Sequence, residues 1–384
     1  MTTTDNFILE NATLILPDRV APQGWIAVSG GRIAEIGEGG APERGIDVEG
    51  DYVLPGLIEL HTDHIESHFI PRPHVRWHAT SAVMAYDAQI AAAGITTVYD
   101  SLRVGSDFDL AALNNDDLWQ LSEALANAKA SGYLRAEHRT HLRCEISSSD
   151  VLEQAEGFAA RYPVHLMSLM DHTPGQRQFR DIAIWKTYYM GKSDASDEEA
   201  NKLISWRLDL HERYAAPHRA ALVDFARKHG AVLASHDDGT AEHVAQAVAD
   251  GVAVAEFPTT LEAAQASHAA GIQVMMGGPN VVRGGSHSGN IAAEALAREG
   301  ILDLLSSDYV PASLLMAAFD LPRRVPDIGL PQAVATVTAN PARAAGLDDR
   351  GALAAGLRAD MVRVRLSGDV PVVREVWREG RRVA

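Results

Sequence analysis

His61 and Asp63 stand two residues apart in the segment Leu54-Pro55-Gly56-Leu57-Ile58-Glu59-Leu60-His61-Thr62-Asp63-His64. In a strand, side chains two apart share a face, so one strand would offer an imidazole and a carboxylate to one cation, while His64 points the other way. Further along come Asp100, Glu145, Asp171 with His172, His236, Glu256 and Asp308, each at or just after a short apolar run. A single residue of this kind is an ordinary turn former; recurrence at almost every strand end is a pattern. Cys144 is the only cysteine, so the donors are nitrogen and oxygen, a set that suits Zn, Mn or another divalent cation of similar hardness. A carboxylate such as Asp308 beside a metal-bound water can take its proton, which is the chemistry of hydrolysis.

The elements that must position these groups are short apolar strands alternating with Ala-rich helical stretches, the pattern of parallel β/α units. Strands are expected near Leu57 to Leu60, Ile95 to Tyr99, His141 to Ile146, Val164 to Met170, Ala231 to Ser235, Val252 to Phe257, Ile272 to Met276 and Leu302 to Ser306. Helices are expected at Leu118 to Ala130, Ala216 to His229, Ala241 to Ala249, Leu261 to Ala270 and Ile291 to Glu299. Eight such units predict an α/β fold, a (β/α)8 TIM-like barrel with its chemistry at the C-terminal strand ends; a doubly wound open sheet is the alternative. The first fifty residues and the C-terminus read as short strands and turns, each too few to be stable alone. They predict one composite β-sandwich domain, residues 1–54 with 346–384, beside a catalytic barrel of residues 55–345.

Against 34 Lys and Arg there are 51 Asp and Glu, a formal charge of −17, which excludes nucleic acid and anionic membrane surfaces as expected partners. No stretch approaches the roughly 18 apolar residues that cross a bilayer, and a reducing cytoplasm is the expected compartment. A small anionic substrate then needs a local cluster of cations. The Gly-rich stretch Arg283-Gly284-Gly285-Ser286-His287-Ser288-Gly289-Asn290 supplies Arg283, Ser286, His287 and Ser288 as phosphate partners, with backbone N–H groups and a following helix N-terminus near Ile291. Arg177, Arg180, Lys186 and Lys192 supply a second group. A homo-oligomer, at its simplest a dimer, is the expected assembly.

The Pro55-Gly56-Leu57-Ile58-Glu59-Leu60-His61 motif and the closing Ser306-Ser307-Asp308 resemble the amidohydrolase superfamily of metal-dependent hydrolases. Within it, His61-Thr62-Asp63, Arg135-Ala136-Glu137-His138-Arg139, His141 to Glu145, Ser168 to Phe179, Ala234-Ser235-His236-Asp237-Asp238, Ala255 to Thr260 and Asn280 to Asn290 are similar to one branch, the diphosphatases that act on α-D-ribose 1-methylphosphonate 5-triphosphate in the carbon-phosphorus lyase pathway. The resemblance implies release of pyrophosphate from that triphosphate. It also implies a centre of two divalent ions, zinc first, held among His61, Asp63, Glu145, His172, His236 and Glu256, with Asp308 as general base. Two places depart from the superfamily pattern: Asp63 replaces the second histidine of His-x-His, and Glu256 stands where a histidine usually follows the sixth strand. Glu145 is the expected bridging group, with a carbamylated Lys186 as the alternative. Competing expectations are hydrolysis of a cyclic amide or deamination of a nucleobase-like substrate, and a non-catalytic barrel serving as a binding subunit.

Overall fold

The computed structural model describes residues 6–73, 75–107, 115–177, 181–193, 196–286 and 289–384. Both termini feed one eight-stranded, mostly antiparallel sheet. The N-terminal strands are β1 (Phe7–Ile15), β2 (Val20–Ser29), β3 (Arg32–Glu38), β4 (Ile46–Asp47) and β5 (Tyr52–Pro55). Eight further strands follow: β6 (Leu57–Thr62), β7 (Ile95–Val104), β8 (Glu137–Glu145), β9 (Leu166–Met170), β10 (Val232–His236), β11 (Val254–Glu256), β12 (Gln273–Gly277) and β13 (Leu304–Ser306). The C-terminal β14 (Met361–Ser367), β15 (Val370–Arg378) and β16 (Arg381–Arg382) return to the first sheet, whose order is β16-β15-β14-β5-β1-β2-β3 with β4 on β1.

The second sheet runs from β6 to β13 in chain order, the order of a nearly closed parallel barrel. Most residues of its strands are buried, as expected when helices cover one face and side chains fill the other, though Arg103 of β7 is exposed and the start of β8 is half-buried. The chain divides into two compact units, residues 1–100 with 124–139 and 276–384, and residues 101–123 with 140–275. In the first, Leu9, Leu14, Ile26, Ile33, Met361 and Trp377 form one core; in the second, Leu142, Phe158, Met167, Leu169, Leu222 and Ile272 form another.

The largest departure from expectation is the helix Asp197–His229, which begins nineteen residues before the expected Ala216. Pro217 was the natural place to begin it, since proline opens helices, but here it sits in the interior. Ser196 caps the early start through a reciprocal box with Glu199, and Asp197, Glu198 and Glu199 place negative charge on the first turn. Gly230 closes the helix with φ 65°.

Within the first unit Glu137 of β8 receives Arg350 at 2.7 Å and Arg358 at 2.6 Å, both guanidinium groups being nearly buried. Burial alone would raise the Glu137 carboxyl, but the Arg358 hydrogen bond and the Arg350 charge hold it well below the usual carboxylate range. Removing one member of such a set leaves buried charge uncompensated. Glu137→Gln should therefore lose about 3 kcal/mol in urea unfolding at pH 7. Because the folded pKa is depressed, that stability is present above about pH 4.5 and fades below it, so the gap between wild type and variant should narrow in acid. A gap independent of pH would show that the pair contributes packing and not charge.

Candidate active site

In the first unit the ends of β6 and β13 are clasped by one carboxylate. Glu59, fully buried, accepts the backbone N–H of His61 at 2.7 Å and that of Ser307, while Ser306 Oγ donates to the His61 carbonyl. Burial pushes the Glu59 carboxyl up to about 7 despite those donors. Thr62 Oγ1 donates to the Asp308 carbonyl at 2.6 Å, so the strand carrying His61 fixes the residue expected as base. Asp308 is half-buried with φ 53°, a left-handed backbone that Asp tolerates at some strain. The next helix, Ser313–Arg324, is capped at Ala312 with no side-chain cap, so Asp308 is not its N-cap.

Asp63 departs from expectation. β6 ends at Thr62, and the Asp63 carbonyl accepts Glu66 N in the turn that follows, so His61 and Asp63 are not alternate residues of one strand. Asp100 is spent on His138, whose Nδ1 lies 3.0 Å from both its oxygens, with Asp87 on Nε2 at 3.2 Å. Burial would lower His138, but the two carboxylates raise it to about 9. The Gly-rich stretch also differs. Gly284 and Gly285 donate to Val281 and Asn280 carbonyls to close the helix Gly278–Arg283, and Ala293 N, at the start of the helix Ala293–Arg298, donates to Asn280 Oδ1. Those N–H groups are therefore committed to the fold, and the following helix begins at Ala293, two residues after the expected Ile291. Arg283 ends its helix exposed and Ser286 is half-buried; His287 and Ser288 lie outside the described residues.

The second unit holds the denser cluster. Glu145, the last residue of β8, accepts His172 N at 3.0 Å and His172 Nδ1 at 2.6 Å. Glu256, ending β11, accepts His236 Nδ1 at 3.0 Å and Ser168 Oγ at 2.7 Å on one oxygen. Each carboxylate thus places the ring proton on Nδ1 and turns the Nε2 lone pair the other way, the arrangement by which carboxylates orient metal-binding histidines. His236 Nε2 lies 3.4 Å from Asp237 Oδ2, and ligand atoms of His172, His236 and Asp237 fall within 4.8 Å of one another. Two imidazole nitrogens and a carboxylate converging this closely fit a divalent cation. Burial pushes the Asp237 carboxyl up to about 7.

Asp237 was not anticipated, because in a regular strand it would face away from His236; its φ of 55° turns it back. His141 was also missed, although it shares the period-two face of β8 with Glu145. It bonds Ser101 Oγ at 3.1 Å through Nδ1 and the Ser168 hydroxyl through Nε2, extending the chain that ends on Glu256. Two expected phosphate ligands are otherwise engaged. Arg177 is buried, paired with Asp238 and donating to the His236 carbonyl at 3.2 Å, so it braces the end of β10. Lys186, on the helix Ile182–Ser193, pairs with Asp197 at 2.5 Å. Lys192 lies on that same helix, with no side-chain placement among the described residues, and Arg180 falls outside them. Ser168→Ala should weaken divalent-metal affinity about 10-fold, measured by chelator competition, with circular dichroism unchanged. Unaltered affinity would mean that Glu256 orients His236 without help from the serine.

Residues 119–384 match the amidohydrolase family model. Over 383 residues, 98% of this chain and 100% of the relative, the sequence is 45% identical to the α-D-ribose 1-methylphosphonate 5-triphosphate diphosphatase of Escherichia coli (strain K12). A D-hydantoinase of Rhizobium radiobacter is 36% identical over 98 residues, 25% of this chain and 20% of that protein. Among solved structures, N-acetyl-D-glucosamine-6-phosphate deacetylase from Mycobacterium smegmatis (19% identity, TM-score 0.61, 98% of this chain and 100% of that one) and N-isopropylammelide isopropylaminohydrolase from Burkholderia multivorans (18%, 0.62, 99% and 98%) share the fold. The chain belongs to the amidohydrolase family.

Proposed function

We propose that this protein hydrolyses α-D-ribose 1-methylphosphonate 5-triphosphate to α-D-ribose 1-methylphosphonate 5-phosphate and pyrophosphate in phosphonate catabolism. The observation that carries the reading is the 45% identity to the E. coli diphosphatase along essentially the whole of both chains. In this reading residues 55–345 are the catalytic barrel and 1–54 with 346–384 the accessory β domain. In the first unit His61 and Asp63, and in the second His172 and His236, joined by Asp237, are the residues that would hold divalent ions, zinc first. Glu145 and Glu256 are assigned to the second unit's cluster as ligands or as the groups that orient its histidines. Bound there, divalent cations would acidify a water and neutralise phosphate charge.

Asp308 takes the proton of the attacking water at a carboxylate oxygen. The Ser306 hydroxyl, which accepts Asp308 N at 3.1 Å, and the Thr62 hydroxyl hold its backbone while it does so. Attack falls on the α-phosphorus, and pyrophosphate departs with the bridging oxygen. Arg283, Ser286, His287 and Ser288 are assigned to the phosphate groups, while Arg177 supports the site through Asp238. The cyclic-amide reading draws on the D-hydantoinase match, which spans only 20% of that protein. Cytoplasmic location and a homodimer complete the proposal; among the described residues no helix is long and apolar enough to cross a membrane.

A ³¹P NMR time course on the metal-reconstituted protein in ¹⁸O water tests the reaction: pyrophosphate should appear with the label in the sugar monophosphate. Turnover of hydantoins with no change in the phosphorus signals would overturn it. Asp308→Asn should lower kcat by 10²-fold or more with metal content retained, as expected of a lost general base; turnover near wild type would remove the residue from the mechanism. Ser286→Ala should raise KM for the triphosphate with little change in kcat, and an unchanged KM would return that stretch to a plain connecting loop.

A further inference from the structure

His64 closes the segment Leu60-His61-Thr62-Asp63-His64 and has no part in the hydrolytic centre described above. With φ −60° and ψ −21° it already has helical backbone, so it opens the turn of the helix Ile65–Phe69 and stands one turn from His68. Side chains four apart on a helix share a face, the spacing by which a helix offers two imidazoles to one cation. Here the two rings meet edge to face with centroids 5.2 Å apart. Both are half-buried, and the His68 ring also rests 6.2 Å from that of the fully buried Tyr86, so packing fixes its plane.

Tyr86 and Gln89 lie three residues apart on the helix Ala79–Ala92, and Gln89 brings its exposed carboxamide to both imidazoles. Its Oε1 is 3.1 Å from His64 Nε2 and 2.9 Å from His68 Nε2. Ordinary hydrogen bonding is the competing explanation, and it requires a proton on Nε2 of each ring. At His64 the neighbouring hydroxyl opposes that. Ser67 Oγ donates its single proton to the His64 carbonyl at 2.7 Å, so toward His64 Nδ1, 3.4 Å away, it acts as acceptor. The ring proton then sits on Nδ1, and the Nε2 lone pair faces the lone pairs of Gln89 Oε1; the bond made by one ring nitrogen decides that the other is free for a metal. At metal–ligand distances of about 2.1 Å, separations of 2.9 and 3.1 Å subtend roughly 90° at an ion. That is an edge of an octahedral or square-planar site and not of a tetrahedron, which favours Cu²⁺ or Ni²⁺ over Zn²⁺.

We propose that His64, His68 and Gln89 form a surface site for a cation of the Cu²⁺ or Ni²⁺ class, separate from the hydrolytic centre and independent of the hydrolase reading. Among the described residues no cysteine, carboxylate or further histidine, Asp63 included, joins His64 and His68 in a group whose ligand atoms all lie within 4.8 Å of one another. Water therefore fills the remaining positions, and the site is open to exchange. The bound ion ties the short helix Ile65–Phe69 to the helix Ala79–Ala92.

The test uses full-length protein reconstituted with Zn²⁺ and then titrated with Cu²⁺, comparing wild type with the double variant His64→Gln/His68→Gln and with Gln89→Glu. Expected is one more equivalent of Cu²⁺ in wild type than in the double variant, with an electron paramagnetic resonance signal showing two imidazole nitrogen couplings that the double variant lacks. Gln89→Glu should bind that equivalent about 10-fold more tightly, because a charged oxygen replaces a neutral one. Equal Cu²⁺ stoichiometry and the same nitrogen couplings in wild type and double variant, at matched melting temperature, would overturn the site. Should the double variant fail to fold, Gln89→Glu decides alone: unchanged affinity would reduce the three side chains to a hydrogen-bonded link between helices. None of these readouts involves turnover of the triphosphate, so the hydrolase reading stands or falls separately.

Discussion

Backbone N–H groups at the ends of β6 and β13 both point at the carboxylate of Glu59, which has no exposure to solvent. The carboxylate therefore ties the end of the first barrel strand to the residue that follows the last. It sits two residues from His61 and clamps the residue before Asp308. A buried carboxylate is costly unless it is saturated with donors, and this one takes N–H groups from both strands. The same bonds that satisfy Glu59 therefore fix the spacing between a candidate ligand and the candidate base, and closure of the barrel and alignment of the chemistry become one constraint.

The second unit uses the same device twice more. Glu145 and Glu256 each end a strand, and each spends an oxygen on the Nδ1 of a histidine from another segment. The histidines are thereby presented Nε2-first, and no water or flexible side chain is needed to set the tautomer. Where the backbone must turn back toward the centre, it does so in the left-handed region: Asp237 follows β10, Phe257 follows β11 and Asp308 lies just past β13, with φ between 53° and 55°. Three non-glycine residues in that region at three strand ends concentrate strain where the functional side chains are.

Much of this was legible in the sequence. The eight parallel strands fall within a few residues of the expected runs, because burial on both faces writes a strand as a short, mostly apolar stretch between helical segments. His61, Glu145, His172, His236, Glu256 and Asp308 could be nominated from polar residues interrupting those stretches. What could not be read were roles that depend on geometry after the strand ends. Asp237 is invisible to strand periodicity because only a positive φ brings it round. Arg177 looked like a phosphate ligand because sequence shows its charge and not its partner, Asp238.

That last point bears on how an acidic protein could hold a polyanion. Of the cations nominated for phosphate, Arg177 is neutralised by Asp238 and Lys186 by Asp197, while the N–H groups of Gly284, Gly285 and Ala293 close helices and loops. With these groups already partnered, the local positive potential expected from the sequence is weaker than the residue types suggest. With a formal charge of −17 around it, a triphosphate must then draw its compensation from groups that carry concentrated charge at the strand ends. Divalent cations held by imidazole and carboxylate would meet that requirement at the centre itself, where fields act over short distances and salt screens them least. The carboxylates that make the protein so acidic overall are, at this place, what recruits and fixes the positive charge.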